Sequence, residues 1–172
     1  MKMTTIVLVS LLGAISMARA GDQDVTAHNI AVVRAQTDSL NHGDIDAAIA
    51  YFAEDVSNFG KSRGHSGMRS VLEDIWRTFP DWHFEILDII AAGDNVVVRY
   101  KITATHNGVG TLPVNGGMLV GVPATHKRFE VEHIHWYKLR DGKIVDHYAV
   151  RDDLGMMKQL GLLPMNSRPD AK

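Results

Sequence analysis

The spacing of apolar residues changes at Pro80, and that change limits the fold of this chain more than any other feature. Before it, Met68, Val71, Leu72, Ile75 and Phe79 recur at helical spacing, with Ser66 as the expected N-cap and Pro80 as the stop. Beyond Pro80-Asp81-Trp82 the period is two, across residues 83–92 and again from Asn95 to Ile102 after the turn Gly93-Asp94, which predicts an antiparallel pair. Two earlier stretches also carry the helical period. Residues 24–41 place Val25, Ile30, Val33 and Leu40 among polar neighbours, and a short helix capped by Asp44 gathers Ile45, Ala48, Ile49 and Phe52 on one face before Glu54-Asp55. Residues 56–59 read as a short strand and 60–67 as a loop.

Residues 107–126 hold five glycines and two prolines, a long loop suited to a lid or pocket rim. A final hairpin is expected from residues 128–139 and 143–151 around Arg140-Asp141-Gly142. Asp152 or Asp153 then caps a closing helix that runs through Leu160 and stops at Gly161. Helices followed by a meandering antiparallel sheet give an α+β cone, with N-terminal helices packed on a curved sheet and a ligand pocket at the open end.

The first twenty residues have a different character. Lys2, an apolar stretch over residues 6–15 and Ala18-Arg19-Ala20 form a secretory signal pattern, and the apolar run is half of what a bilayer-spanning helix needs. The expected division is therefore a signal peptide at 1–20, one domain at 21–163 and a polar tail at 164–172. Export to the periplasm or out of the cell is expected, with no stable membrane span once the signal is removed. Losing Lys2 and Arg19 takes the formal charge from −2 to −4. With no Lys/Arg run beside that charge, nucleic acid is not an expected partner.

The absence of cysteine excludes disulfides, thiolate metal sites and cysteine nucleophiles, so the nine histidines become the main chemical clue. If the last hairpin has a three-residue loop, Leu139 pairs with Lys143, His135 faces His147, and His133 faces Ala149. His133, His135 and His147 then share one sheet face with Phe129, Val131, Tyr137, Leu139 and Val145. With a two-residue loop, His133 and His135 stay together and His147 turns away. Three clustered imidazoles disfavour one another's charged forms, so at least some are expected to be neutral near pH 7, able to accept protons or to ligate a metal. His147 is the candidate general base and His135 or His133 its proton partner, while the same trio is the alternative metal set. No resident metal and no cofactor are expected. His106, Trp76, Phe79, Trp82, Tyr137 and Arg151 are the candidate ligand-binding residues.

The opposite hairpin face mixes Ile134, Trp136, Tyr148 and Val150 with Glu130, Glu132, Lys138 and Asp146, a pattern expected of a sheet-to-sheet homodimer. No Gly-x-Ser-x-Gly, phosphate-binding loop, dinucleotide fingerprint or His-Glu-x-x-His occurs, which removes the sequence support for serine hydrolysis and nucleotide cofactors.

Several strings taken together resemble one family. Phe79-Pro80-Asp81-Trp82-His83, Gly93-Asp94-Asn95-Val96-Val97-Val98-Arg99, Thr105-His106-Asn107-Gly108, Asp141-Gly142-Lys143-Ile144-Val145-Asp146-His147-Tyr148 and Asp153-Leu154-Gly155 are similar to the SnoaL-like polyketide cyclases, or ester cyclases, over residues 25–163. The resemblance implies the nuclear-transport-factor-two-like cone and a cofactor-free enzyme that deprotonates carbon beside a carbonyl and closes a ring by aldol condensation. In that family an aspartate does the acid/base work on the last strand, where this chain reads Asp146, His147, Tyr148, Ala149. The preceding strand often carries a carboxylate where this chain has His135. The reading is thus a small carbonyl-containing or apolar ligand handled by a histidine pair, with a non-catalytic ligand binder or a histidine metal site as alternatives.

Overall fold

A computed structural model describes residues 6–163, with side chains from residue 23 onward except at residue 115. The expected tail at 164–172 lies outside the described residues. Four helices, α1 (Ile6–Asn41), α2 (Ile45–Ile49), α3 (Gly64–Thr78) and α4 (Asp153–Gln159), accompany six strands. The strands are β1 (Phe52–Asn58), β2 (Lys61–Ser62), β3 (His83–Ala92), β4 (Asn95–Thr105), β5 (Arg128–Arg140) and β6 (Lys143–Arg151), in the sheet order β2-β1-β6-β5-β4-β3.

The elements follow from the periods, with local corrections. α3 buries Met68 and Leu72 and ends at Thr78, with Phe79 as its C-cap immediately before the proline. Its N-cap is Arg63, which makes no side-chain capping bond, and Ser66 lies inside the first turn instead. Asp44 and Asp152 do cap, accepting from Ala47 N–H at 2.8 Å and Gly155 N–H at 2.7 Å. Phe52 to Asp55, expected to finish a helix, are strand: β1 runs beside β6 in parallel, so the sheet is mixed rather than wholly antiparallel. The face that α1 turns inward is partly polar, with Asn29, Gln36 and Thr37 buried beside Val32, Val33 and Leu40, whereas Val25 is exposed. α1 packs on β3 and β4, and α3 on β1.

On β4 and β5 every second residue is buried, from Val96 to Ala104 and from Phe129 to Leu139. The loop after β4 is seated on α3 by one buried carboxylate. Asp74 accepts from the Thr111 N–H at 2.9 Å, the Thr111 hydroxyl at 2.6 Å, the Leu112 N–H at 3.2 Å and Arg77 at 2.8 Å. Burial alone would raise that carboxyl, but these bonds and the Arg77 charge together hold it below its ordinary value. At Gly108 the loop crosses α3 so closely that a Cβ would lie 1.9 Å from the Arg77 carbonyl oxygen, so the position admits only glycine. Leu112, Pro113 and Val114 are thereby held over the cavity.

Candidate functional site

The last hairpin sets the position of the imidazoles, and its register differs from both alternatives read from sequence. Arg140 pairs with Lys143, so the loop is the two residues Asp141 and Gly142, both at positive φ. That loop alone would turn His147 to the outer face. A bulge follows, however, with Leu139 opposite Ile144 but Lys138 opposite Asp146, which leaves Val145 as the extra residue. The two one-residue shifts cancel in facing but not in register. His147 returns to the inner face opposite Tyr137, His135 faces Ala149, and His133 faces Arg151.

The three rings form a row. His147 Nδ1 lies 3.0 Å from Asn58 Oδ1, its register partner on β1, and its Nε2 lies 3.0 Å from His135 Nδ1. His135 Nε2 lies 3.5 Å from His133 Nδ1. Because the Asn58 oxygen only accepts, His147 carries its proton on Nδ1. Its Nε2 then accepts from His135 Nδ1–H, whose own Nε2 faces His133 Nδ1–H. A hydroxyl chain agrees with this direction. Thr37 donates to the Val33 carbonyl at 2.9 Å, so Tyr100 donates to Thr37 at 2.8 Å, and Tyr137 lies 3.4 Å from both Tyr100 and His135 Nδ1. The row ends at His133 Nε2, which is buried without a partner among the described residues.

Burial holds the row neutral. His133 and His147 are pushed down to about 4, first by desolvation and then by the Arg151 charge, partly opposed by Asp152 and Asp146 respectively. His135 lies well below its ordinary value through desolvation, the other two imidazoles and Arg151. Burial also raises the Tyr137 phenol well above its ordinary value.

These rings line a cavity of about 570 Å³ between the sheet, α1, α3 and the loop, together with Trp82, Tyr137 and Arg151. Trp76, Phe79 and His106 do not line it. Phe79 is 2% exposed and packed between Trp82, Phe129 and His106, at 5.4, 5.3 and 5.6 Å between ring centroids. His106 is fully buried behind it against Thr125, and Trp76 packs on Phe84. The imidazoles stand in series, each turned to its neighbour, instead of converging on a point. Among the described residues no group of three or more His, Cys, Asp or Glu is placed to hold a metal ion.

Sequence reasoning missed Gln36, Asn58, Phe59, Lys61 and Arg63, all of which line the cavity. Phe59 is a non-glycine residue at φ 54°, in the Phe59-Gly60 turn, with the Arg151 guanidinium 5.9 Å from its ring centroid. The polar, glycine-containing stretch after Val56 was the available signal for that turn. Four buried side-chain atoms have no partner among the described residues: Gln36 Oε1, Trp82 Nε1, His106 Nε2 and His133 Nε2. Three of the four belong to residues of the cavity wall.

A helix-backed curved sheet enclosing an apolar cavity with a few polar groups on its inner strands is the architecture of the nuclear-transport-factor-two-like proteins. The sequence pattern of the SnoaL-like polyketide cyclases matches residues 30–160, and the chain belongs to that family. Over 45 residues it is 53% identical to aklanonic acid methyl ester cyclase DnrD of Streptomyces peucetius and 47% identical to nogalonic acid methyl ester cyclase of Streptomyces nogalater. Each match covers 26% of this chain and respectively 31% and 34% of the relative, so the chain spans about a third of the length of these curated relatives. Among solved structures, AclR of Streptomyces galilaeus superimposes with a TM-score of 0.67 at 26% identity, covering 81% of this chain and 99% of that one. Wild-type IdmH of Streptomyces antibioticus gives 0.63 at 26%, covering 77% and 98%.

Proposed function

We propose that the cavity binds a small, largely hydrophobic carbonyl compound and that the imidazole row moves a proton at the carbon beside the carbonyl, a cyclase- or isomerase-type reaction run by the protein's own side chains. The observation that carries this reading is His133 Nε2, an unpaired buried acceptor on a cavity-lining residue at the end of a directed hydrogen-bond row. The role of base passes from His147, whose two nitrogens are both engaged, to His133. The electrons of the broken C–H bond move onto the carbonyl oxygen, and the unpaired Trp82 Nε1–H is a donor suited to that oxygen. The proton taken by His133 is relayed through His135 to His147, where Asp146 favours the cation. The imidazoles gain basicity as negative charge develops on the substrate, which favours proton uptake in the loaded cavity.

Exchange of α-protons of an aryl ketone in deuterated buffer tests this by NMR. Combined His133→Gln and His135→Gln substitution is expected to slow exchange by about 100-fold or more. An unchanged rate in the folded double variant overturns the assignment. A non-catalytic carrier is the second reading, favoured by Ala149 and by the lack of any carboxylate on the cavity wall among the described residues. It predicts a thermal shift with ligand and no proton exchange. Export by cleavage after Ala20, release to the periplasm or beyond, and a homodimer through the outer face of β5 and β6 are proposed on the N-terminal pattern and on the exposed Ile134, Trp136 and Val150.

A further inference from the structure

The side chains around this cavity are unbalanced in charge. Lys61, Arg63 and Arg151 line it, and among the described residues no Asp or Glu does, in a protein whose formal charge is −2. Lys61 and Arg63 are exposed and take part in no ion pair among the described residues, whereas Arg151, half-buried further in, lies 3.3 Å from Asp153. α3 starts beside them with Arg63 as an N-cap that supplies no capping side chain, so the positive end of a 15-residue helix adds to the same field. The unpaired polar atoms of Gln36, Trp82 and His133 are buried, so charge lies at the rim and uncharged hydrogen-bonding groups lie inside.

We propose that the cavity takes an anionic ligand, a carbonyl compound with an apolar body and a free carboxylate, held at the rim by Lys61, Arg63 and Arg151 with its carbonyl end turned towards Trp82 and His133. This rests on the cavity being the ligand site proposed above. It separates the chain from the curated relatives, whose names specify methyl esters. An anion beside Arg151 also offsets the charge that helps keep the imidazoles unprotonated, so the carboxylate prepares the row to accept a proton. Ligand recognition and base strength are thereby coupled through one guanidinium.

The test uses 4-oxo-4-phenylbutanoate and its methyl ester, which share the aromatic body, the ketone and its exchangeable α-protons and differ in charge. Calorimetric titration of the full chain at low salt is expected to give the acid at least about tenfold tighter binding than the ester, with the preference shrinking as salt is added. In a Lys61→Gln/Arg63→Gln variant the preference is expected to fall towards unity. Equal or tighter binding of the ester, a preference untouched by the double substitution, or binding of neither compound at millimolar concentration overturns the inference. Proton exchange followed on the same samples separates the two proposals. Exchange without preference for the acid sinks the anionic ligand alone, and acid-selective binding without exchange sinks the proton-transfer reading alone.

Discussion

Single residues in this fold act through burial. Asp74 is fully buried and serves as the acceptor for two backbone N–H groups, a hydroxyl and a guanidinium, so Asp74→Ala strands those donors. The expected cost is about 3 kcal/mol in chemical denaturation, with the 107–126 loop losing amide protection before the sheet does. The buried imidazoles make stability depend on pH. Their folded values lie below the ordinary 6.5, so the unfolded chain binds more protons, and stability present above about pH 6.5 is lost as pH falls towards about 4. The thermal midpoint should therefore drop between pH 7 and pH 4, and His133→Gln/His147→Gln should flatten that dependence. A midpoint equally steep in the double variant would place the effect elsewhere. Neutral imidazoles were legible in sequence from their clustering, whereas Asp74 reads as an ordinary polar residue on an amphipathic helix until a loop far along the chain closes over it.

At the scale of elements, the last hairpin decides whether a site exists. Asp141-Gly142 is a strong two-residue turn signal, and applied alone it moves His147 outside. The compensating bulge at Val145 left no mark in the sequence, because a β-branched residue there fits an unbroken strand equally well. Deleting Val145 should leave a regular ladder in which Lys138 still faces Asp146 and His147 stays inward opposite Tyr137. The measurement is the imidazole nitrogen spectrum, in which the His147 and His133 signals should both stay those of buried rings; His147 signals of an exposed ring would overturn this account of the bulge. By contrast the antiparallel pair over 83–92 and 95–102 was readable, since alternation and a Gly93-Asp94 turn specify it locally, although the second strand runs on to Thr105 and a register shift falls between Ile86 and Asp88.

For the whole molecule, the fold was expected from the order of elements and from the resemblance, and the parallel pairing of β1 with β6 was not. That pairing brings Asn58 beside His147 across nearly ninety positions of sequence, and no local period encodes it. The outer face of β5 and β6 leaves Val150 75% exposed, with Ile134 at 48% and Trp136 at 41%. We expect light scattering to report a dimer and Trp136→Glu to convert it to a monomer without loss of fold. A monomer at high concentration in the unaltered protein would exclude that assembly.

The sequence by itself determined most of the elements, the inward face of β5 with His133 and His135, and the family, because periods of two and 3.6 and short turn signals are properties of neighbouring residues. Only the tertiary structure decided which nitrogen is free, which cations reach the cavity and which aromatic rings stay behind it. Those outcomes rest on a bulge, a parallel strand and a closed loop, each fixed by contacts between distant segments.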